Sequence, residues 1–419
     1  MATKLLDAGT QSFTISCCQV CGCEDLEPLL FLGYLPPVNT MPAVGEQPRE
    51  QPAFPAQWLY CRRCTLVQLS TVVAAEVLFP PSYPYTSGTT RILRENFAEL
   101  YQECRSLIDL LPADLCVDIG SNDGTLLANF QAGGHRVRGI EPTNAGLLAA
   151  GRGIPTHISF FDEDAVAHTL AADGPARVVS AANCFAHIDE VNGVVENVLD
   201  LLVDDGLFVV ECHYLLALID TLQYDTVYHE HMRYYSLSAL QYLFNRHGLE
   251  IIHAKRIPTH GGSIRVYAAR KGQHAVRPSV AELLAAEAAE ISLERLRGFQ
   301  ADVTRSKLAL YAYLHQLKGQ GKRIFGVGAP SRASTLINYV GLDHGILDCV
   351  VEVAGSRKLG KYVPGTLIPV VDEARLFNEQ PDCALLLSWH IAEELMPKLR
   401  ERGFRGSFLI PLPEPRLVS

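Results

Sequence analysis

The sequence predicts an α/β protein with a cysteine-rich N-terminal module and two open, mainly parallel sheets. Six of the 12 cysteines lie within the first 64 residues. In two later regions, short apolar runs alternate with helix-like stretches, which is typical of sheets built from βαβ units. Between those regions, the run AELLAAEAAEISLERLRGF has amphipathic spacing and predicts helix. The chain therefore divides into an N-terminal module (1–75), a first α/β domain (76–270), a helical connector (271–320) and a second α/β domain (321–419).

Composition restricts the class of protein. Of 419 residues, 48% are apolar and 20% are charged, which is an ordinary balance for a globular chain. The formal net charge of −10 argues against a general nucleic-acid binder, because no net basic charge drives counterion release. No run of about 18 apolar residues is present, so we expect no transmembrane helix and no membrane partner. The N-terminus lacks a continuous apolar signal-peptide core, and we expect a cytoplasmic protein.

Two CxxC pairs in the N-terminal module predict a structural zinc site. Cys18 pairs with Cys21, and Cys61 pairs with Cys64. Each knuckle turns two thiolates toward one point, and two knuckles complete a tetrahedron around Zn²⁺ without an open position. A redox CxxC pair or free thiols are the alternatives. A redox pair would be expected beside a βαβ pattern, which this segment lacks.

A glycine-rich loop follows the first predicted strand of the first α/β domain. The strand ends at Asp118, and the turn I-G-S-N-D-G-T leads into a helix. Gly120 allows a ligand to approach the backbone, and Gly124 allows close contact between strand and helix. A second strand ends at Glu141, which is placed to accept both hydroxyls of a ribose. The acids Asp118 and Asp123 disfavour a pyrophosphate but suit a ligand with an amino group and a cationic sulfonium.

This order of acid, loop and acid resembles motifs I and II of class I S-adenosylmethionine-dependent methyltransferases. The strand that leads to Asn183 would then lie beside the methyl donor. A Rossmann-like domain for another nucleotide is the alternative. The resemblance implies cofactor contacts at Asp118, Gly120, Asn122, Asp123, Gly124, Glu141, Pro142 and Asn183.

A dense run of proton-transfer side chains, Y-H-E-H-M-R-Y-Y-S, begins at Tyr228. Histidine suits a general base because its pKa lies near operating pH and neighbouring Glu or Tyr side chains can orient it. In an extended segment, His229 and His231 would point to the same side. The two could instead chelate a metal, although no third ligand is evident nearby in the sequence.

Several motifs occur in one order along the chain: two zinc knuckles, D-I-G-S-N-D-G-T, F-A-H-I-D, Y-H-E-H-M-R-Y-Y-S, H-G-G-S-I-R and a second Rossmann-like region. Together they resemble the sugar C-methyltransferases of deoxysugar and antibiotic-sugar biosynthesis, over nearly the whole chain. The resemblance implies a zinc module, a class I Rossmann-like methyl-donor domain and a Rossmann-like C-terminal domain that helps to hold the nucleotide sugar. The implied reaction methylates a ring carbon of a thymidine-diphosphate 4-keto-deoxysugar, with C3 favoured over C5.

The same resemblance implies roles for individual residues. His231 would be the base that forms an enolate, while Tyr228 and Glu230 would position or polarise the keto-sugar. His187, in F-A-H-I-D, would hydrogen-bond the enolate oxygen, since enolates are stabilised by donors placed where charge develops. An upstream tyrosine-rich stretch would reach the cofactor through Tyr83, Tyr85 and Ser87. The family's common form has a second Ser where Gly88 stands here, and an aromatic loop packed on the sheet is the alternative.

The C-terminal domain carries a second glycine-rich turn, F-G-V-G-A-P-S-R, that opens a helix. Backbone N–H groups at a helix N-terminus suit a diphosphate. A basic cluster around 357–361 could add charge, or could simply be solvated. His260-Gly-Gly-Ser263 could line the sugar site or be a purely structural turn. The predicted substrate contacts are Tyr228, His229, His260, Ser263, Ser331, Arg332, Arg357, Lys358 and His390.

Two other functions stay open on sequence grounds. A methyltransferase for an oxygen or nitrogen acceptor would need no enolate. A zinc module attached to a degenerate methyl-donor fold would bind without catalysis, although the intact Gly120, Gly124 and Glu141 argue against it. We expect a monomer.

Overall fold

A computed structural model describes residues 11–79 and 87–419 of the chain. Its N-terminal part is a small β-rich unit. The elements of this part are β1 (Ser12–Thr14), β2 (Leu26–Leu35), β3 (Phe54–Cys61), β4 (Val67–Leu69), β5 (Thr71–Val73) and α1 (Ala75–Leu78). Buried and half-buried side chains alternate along β3 from Phe54 to Trp58.

The middle part is a seven-stranded sheet covered by helices. Its elements are α2 (Arg91–Leu107), β6 (Leu115–Ile119), α3 (Thr125–Ala132), β7 (Arg136–Ile140), α4 (Ala145–Gly151), β8 (Thr156–His157), α5 (Glu163–Asp173), β9 (Ala176–Ala182), α6 (Val191–Leu201), β10 (Leu202–His213), α7 (Leu215–Asp220), β11 (Arg233–Tyr234), α8 (Leu237–Arg246), β12 (Leu249–Ile257) and β13 (Ser263–Arg270). Three short 3₁₀ turns cover Ser87–Thr89, Tyr224–Thr226 and Thr259–Gly261.

The order of strands in the middle sheet is β12-β13-β10-β9-β6-β7-β8. The strands from β8 to β10 run parallel, and β13 is antiparallel to β10. Every residue of β6 is buried, as expected for a parallel strand with helices on both faces. The chain reverses its winding direction between β6 and β9, and ligands of open α/β sheets bind at such a switch point.

Two helices, α9 (Pro278–Glu290) and α10 (Leu293–Gly319), lead to the C-terminal part. The buried carboxylate of Glu287 on α9 accepts hydrogen bonds from the backbone N–H groups of Leu237 and Ser238, the first residues of α8. These groups have no partner within their own helix, so Glu287 fastens the connector to the middle domain.

The C-terminal part is a second seven-stranded sheet with its helices. Its elements are β14 (Ile324–Val327), α11 (Ser331–Val340), β15 (Cys349–Glu352), β16 (Lys361–Tyr362), β17 (Pro369–Asp372), α12 (Ala374–Glu379), β18 (Cys383–Leu386), a 3₁₀ turn (Trp389–Ile391), α13 (Ala392–Glu401), β19 (Ser407–Ile410) and β20 (Arg416–Val418). The strand order is β16-β17-β15-β14-β18-β19-β20. The five inner strands are parallel, and their order again reverses direction beside β14.

The N-terminal unit is built into the rest of the molecule. Its four-stranded sheet has the order β11-β4-β3-β2, so it takes one strand from the middle domain. Trp58 on β3 stacks on Phe299 of α10, with ring centres 5.4 Å apart. A single buried cluster joins this sheet, α10 and the C-terminal sheet.

The predicted fold class is confirmed: an α/β protein with an N-terminal cysteine cluster, a Rossmann-like sheet in the middle domain and a second Rossmann-like domain. The exact domain limits stay predictions. Among the described residues, no helix combines the length and apolar character needed to cross a bilayer.

Candidate active site and zinc site

The four predicted zinc ligands come together. The Sγ atoms of Cys18 and Cys64 are 3.4 Å apart, as are those of Cys21 and Cys61. All four side chains are buried, and their sulfur atoms lie within 4.8 Å of one another. Zn–S bonds of ~2.3 Å in a tetrahedron place sulfurs about 3.8 Å apart, so the cluster fits Zn²⁺. Gly22 adopts a φ of +68°, which allows the first knuckle to turn tightly.

A cavity of about 540 Å³ lies between the carboxyl edge of the middle sheet and the C-terminal domain. Its walls bring together predicted residues that are far apart in the sequence. They include cofactor candidates, the whole catalytic set and part of the predicted substrate set: Ser87, Gly120, Asn122, Glu141, Pro142, Asn183, His187, Tyr228, Glu230, His231, His260, Ser331, Arg332, Lys358 and His390.

Glu141 stands at the edge where β6 and β7 end. Its carboxylate accepts hydrogen bonds from the backbone N–H of Asn122 (2.9 Å) and from the backbone N–H of Thr143 (2.9 Å). These bonds, with a third from the Thr143 hydroxyl, fix the carboxylate in the cavity wall. At Gly120, which has a φ of +63°, an added Cβ would come within 2.8 Å of the Cys184 Cβ. The loop therefore needs glycine at this position.

Three predicted cofactor residues support the loop from behind the cavity wall. Asp118 is buried and accepts a 2.6 Å hydrogen bond from the Ser180 hydroxyl. Burial raises the pKa of the Asp118 carboxyl to about 8. Asp123 accepts hydrogen bonds from the Gly88 backbone N–H and from the Thr125 hydroxyl. Gly124 packs against α4 and the residues after it. Neither the two acids nor this glycine lines the cavity.

Two further cofactor predictions, Tyr83 and Tyr85, lie outside the described residues. Ser87 is described and lines the cavity. Its backbone N–H donates to the Asn122 side-chain oxygen at 2.8 Å, so this segment is attached to the glycine-rich loop.

Aromatic side chains cluster around His231 inside the cavity. The ring centre of His231 lies 4.1 Å from that of Tyr228, 5.1 Å from that of His187 and 4.6 Å from that of His213. His260 continues the cluster, 5.6 Å from His213. The F-A-H-I-D motif, the end of β10 and the Y-H-E-H run thus meet at one point.

One hydrogen bond determines which nitrogen of His231 is basic. The Nδ1 atom of His231 lies 2.8 Å from the backbone carbonyl oxygen of Thr226. Because a carbonyl only accepts, Nδ1 carries the proton and Nε2 keeps its lone pair. His231 therefore has the form required of a proton acceptor.

Burial keeps this cluster uncharged near neutral pH. It lowers the pKa of His187 and of His260 to about 4, and it lowers the pKa of His231 well below 6.5. Neighbouring histidines lower the pKa of His231 further, since two imidazolium charges would repel. Burial also raises the pKa of Tyr228 well above 10, so its phenol stays protonated and can donate.

Three predicted substrate residues stay outside the cavity wall. The ring of His229 points toward the N-terminal sheet, with Nε2 3.2 Å from the Pro55 carbonyl oxygen. Ser263 starts the buried strand β13 and donates to the Thr259 carbonyl. Arg357 is exposed beside the cavity but does not line it. The expectation that His229 and His231 share one direction is wrong, because this segment is not extended: the His231 N–H closes a turn onto the Tyr228 carbonyl.

Arg332 lines the cavity, but its charge is already paired. It makes two hydrogen bonds to the Asp225 carboxylate, at 2.8 and 2.7 Å. Arg332 therefore bridges the two domains, and its contact with the diphosphate stays a prediction. Lys358 donates from Nζ to the Ala329 carbonyl at 2.8 Å, just ahead of α11.

Sequence reasoning missed several residues of the site. His213 ends β10 and lines the cavity, and its position at a strand end was a usable signal. Asn39 comes from the N-terminal unit and donates to the Glu230 carboxylate at 2.7 Å and to the Ser331 hydroxyl at 3.1 Å. No local sequence pattern predicts the role of Asp225, because its partners lie more than 100 residues away in the chain.

Family models match three successive stretches: a zinc binding domain at 18–79, a methyltransferase domain at 91–254 and a C-methyltransferase C-terminal domain at 258–413. The C-methyltransferase NovU of Streptomyces niveus is 35% identical over 407 residues, which are 96% of each chain.

Solved structures resemble part of the chain at low identity. The PH0226 protein of Pyrococcus horikoshii OT3 is 14% identical, with a TM-score of 0.35 over 47% of this chain and 98% of that one. The YcgJ protein of Bacillus subtilis is also 14% identical, with a TM-score of 0.33 over 42% of this chain and 100% of that one.

The fold and site define a methyltransferase with a zinc binding domain. The chain belongs to the C-methyltransferase family that includes NovU. It is an S-adenosylmethionine-dependent C-methyltransferase.

Replacing one zinc ligand should remove the metal. We expect Cys61→Ser to lose most of its zinc by metal analysis and to unfold at a lower temperature, because the closed tetrahedron contributes folding free energy. The matched control is Cys17→Ser, next to the first knuckle but outside the cluster, which should keep one zinc ion per chain. Full zinc content in Cys61→Ser would contradict the assignment of the ligand.

Proposed function

We propose that the enzyme methylates a ring carbon of a nucleotide-linked 4-keto-deoxysugar, with thymidine diphosphate as the nucleotide and C3 favoured over C5. One observation carries the proposal: a single cavity joins the methyl-donor edge, a buried neutral histidine and the start of α11 in the C-terminal domain. A carbon acceptor requires a carbanion equivalent, and a ketone next to a positioned base can provide it.

The donor is proposed to lie at the ends of β6, β7 and β9. When bound, S-adenosylmethionine supplies an electrophilic methyl group on a cationic sulfonium. Glu141 would accept from the ribose hydroxyls, since its carboxylate is already oriented by the loop. Asn122, Asn183, Pro142 and Ser87 line the same part of the cavity.

The sugar is proposed to lie against the histidine cluster. Its 4-ketone acidifies the hydrogen on C3, and the Nε2 atom of His231 accepts that proton. The electron pair of the broken C–H bond enters the enolate. The enolate carbon then bonds to the methyl carbon as the bond between methyl and sulfur breaks, which leaves a neutral thioether.

Neighbours of the base supply the proposed electrostatic stabilisation. Tyr228 stays a protonated phenol and can donate to the developing oxyanion. His187 is neutral, so one of its ring nitrogens carries a proton that it can donate. Glu230 is held by Asn39, and it would orient the sugar hydroxyls rather than donate.

The nucleotide is proposed to lie at the start of α11. Backbone N–H groups at this ten-residue helix's N-terminus and the Ser331 hydroxyl can bind phosphate oxygens. Lys358, His260 and His390 line the same side of the cavity. Among the predicted substrate residues, His229, Ser263 and Arg357 do not line the cavity, so the proposed sugar and nucleotide sites do not include them.

His231→Asn should lower methyl transfer and solvent hydrogen–deuterium exchange at C3 of a thymidine-diphosphate 4-keto-deoxysugar by ~10²-fold or more. Affinity for S-adenosylmethionine, measured by calorimetry, should be retained. The matched control is His229→Asn, two residues away, whose ring contacts the N-terminal sheet. It should keep exchange within a few-fold. Wild-type exchange in His231→Asn, or an O-methyl product from the wild type, would refute the enolate route.

The pH dependence should report the buried base. Only neutral His231 accepts a proton, and burial lowers its pKa well below 6.5, so the active form persists as the pH falls to 6.5. We expect the exchange rate to stay constant from about pH 7.5 to about pH 6. A base with the ordinary histidine pKa of about 6.5 would already lose most of its active form by about pH 6. A half-maximal rate close to pH 6.5 would contradict the buried, neutral base.

A further inference from the structure

A buried ion pair links the middle and C-terminal domains beside the cavity. The Asp225 carboxylate accepts hydrogen bonds from the Arg332 guanidinium and a 2.7 Å bond from the Trp389 indole N–H. The guanidinium carbon lies 5.0 Å from the centre of the Trp389 ring. Asp225 is 1% exposed and Arg332 is 5% exposed, so water does not compete for these bonds. Both partners of Asp225 belong to the C-terminal domain.

Asp225 lies in the middle of the 3₁₀ turn Tyr224–Thr226. The next residue, Thr226, provides the carbonyl that accepts from Nδ1 of His231. The direction of that carbonyl is a property of the turn, since rotating one peptide plane moves the oxygen away from the ring. Whatever holds Asp225 therefore also holds the acceptor of His231.

The same guanidinium also fixes the two segments beside the turn. Arg332 donates to the side-chain oxygen of Gln223 at 3.0 Å and to the His260 carbonyl at 3.3 Å. The Gln223 amide donates to the Gly261 carbonyl at 2.6 Å, and a Cβ on Gly261 would come within 2.6 Å of the Gln223 oxygen. These hydrogen bonds hold Gln223, just before the turn, and the backbone of His260 and Gly261 beside it. The turn therefore has little freedom to rotate.

We propose that Asp225, Arg332 and Trp389 are positioning residues through which the C-terminal domain sets the tautomer and direction of His231. With the Thr226 carbonyl in place, the proton stays on Nδ1 and Nε2 is basic. If the turn relaxes, the proton can move to Nε2, and no basic nitrogen then faces the sugar. This proposal rests on the proposed function, in which His231 is the base.

The proposal changes the role of the C-terminal domain. A domain that only held the nucleotide would affect the KM for the nucleotide sugar. A domain that also holds the base affects proton abstraction after the sugar has bound. If the domain only holds the nucleotide, a small change at Trp389 should leave kcat unchanged. If it also holds the base, the same change should lower kcat.

A double-mutant cycle with Trp389→Phe and His231→Asn tests this. Trp389→Phe removes the donor to Asp225 and keeps an aromatic ring. We expect it to lower the C3 exchange rate at saturating sugar by ~10-fold, as a small misplacement of a catalytic group does. The KM for the nucleotide sugar and the affinity for S-adenosylmethionine should stay within about twofold. In the His231→Asn background, Trp389→Phe should cause no further loss.

Independent effects that multiply would overturn the proposal, as would an unchanged exchange rate or a change in KM alone. Asp225→Asn provides a second test should Trp389→Phe fold poorly, and it should also have no further effect in the His231→Asn background. Arg323→Gln is the control for loss of a basic residue of the same domain, because Arg323 pairs with Asp348 and Glu379 away from the cavity. It should leave the exchange rate unchanged.

The result for His231→Asn shows whether the proposed function itself fails, and the results for Trp389→Phe and Asp225→Asn then show whether only the positioning proposal fails. If it keeps full exchange, the base lies elsewhere and both proposals fail. If it loses exchange while Trp389→Phe and Asp225→Asn keep theirs, only the positioning proposal fails.

Discussion

The active cavity depends on the buried ion pair between Asp225 and Arg332. Taking two charges out of water is costly, and their attraction offsets that cost only when the geometry is good and the remaining hydrogen bonds are made. Here the guanidinium makes paired bonds to the carboxylate and further bonds to Gln223 and His260, and Trp389 adds another donor to Asp225. Losing one partner would leave a buried charge uncompensated, so the pair favours one arrangement of the two domains.

Around this contact, all three parts of the chain hold the Y-H-E-H run. The turn that contains Asp225 lies before the run. After it, β11 joins the N-terminal sheet by pairing Arg233 with Gln68. That sheet also supplies Asn39, which bonds Glu230 directly. Because Cys61 ends β3 and Cys64 lies on the connection to β4, the zinc site stabilises the strand with which β11 pairs.

Much of this architecture could be predicted from local sequence patterns. Paired cysteines at knuckle spacing, the glycine-rich loop after β6 and the Y-H-E-H run each have a chemical meaning that does not depend on distant residues. The structure brings Gly120, Glu141 and His187 to one cavity because they follow parallel strands that end at one edge, and His231 reaches the same cavity from the loop before β11. The cofactor and the family followed from the same patterns.

Contacts between domains could not be predicted in that way. Arg332 has the local setting of a phosphate ligand, after a glycine-rich turn at a helix start, yet its partner is Asp225, 107 residues earlier. Asn39 lies in a proline-rich stretch without periodicity, and only the folded chain places it beside Glu230. His229 lies in the same motif as His231, but the two rings point in different directions because the chain turns between Tyr228 and His231.

In the proposed reaction, this cavity forms an enolate and joins its carbon to the methyl group. The decisive measurement is carbon NMR of the product formed from a thymidine-diphosphate 4-keto-deoxysugar and S-adenosylmethionine with a ¹³C-labelled methyl group. We expect the labelled methyl to be bonded to a ring carbon next to the ketone. A labelled methyl on oxygen or nitrogen, or no transfer to any 4-keto nucleotide sugar, would contradict it.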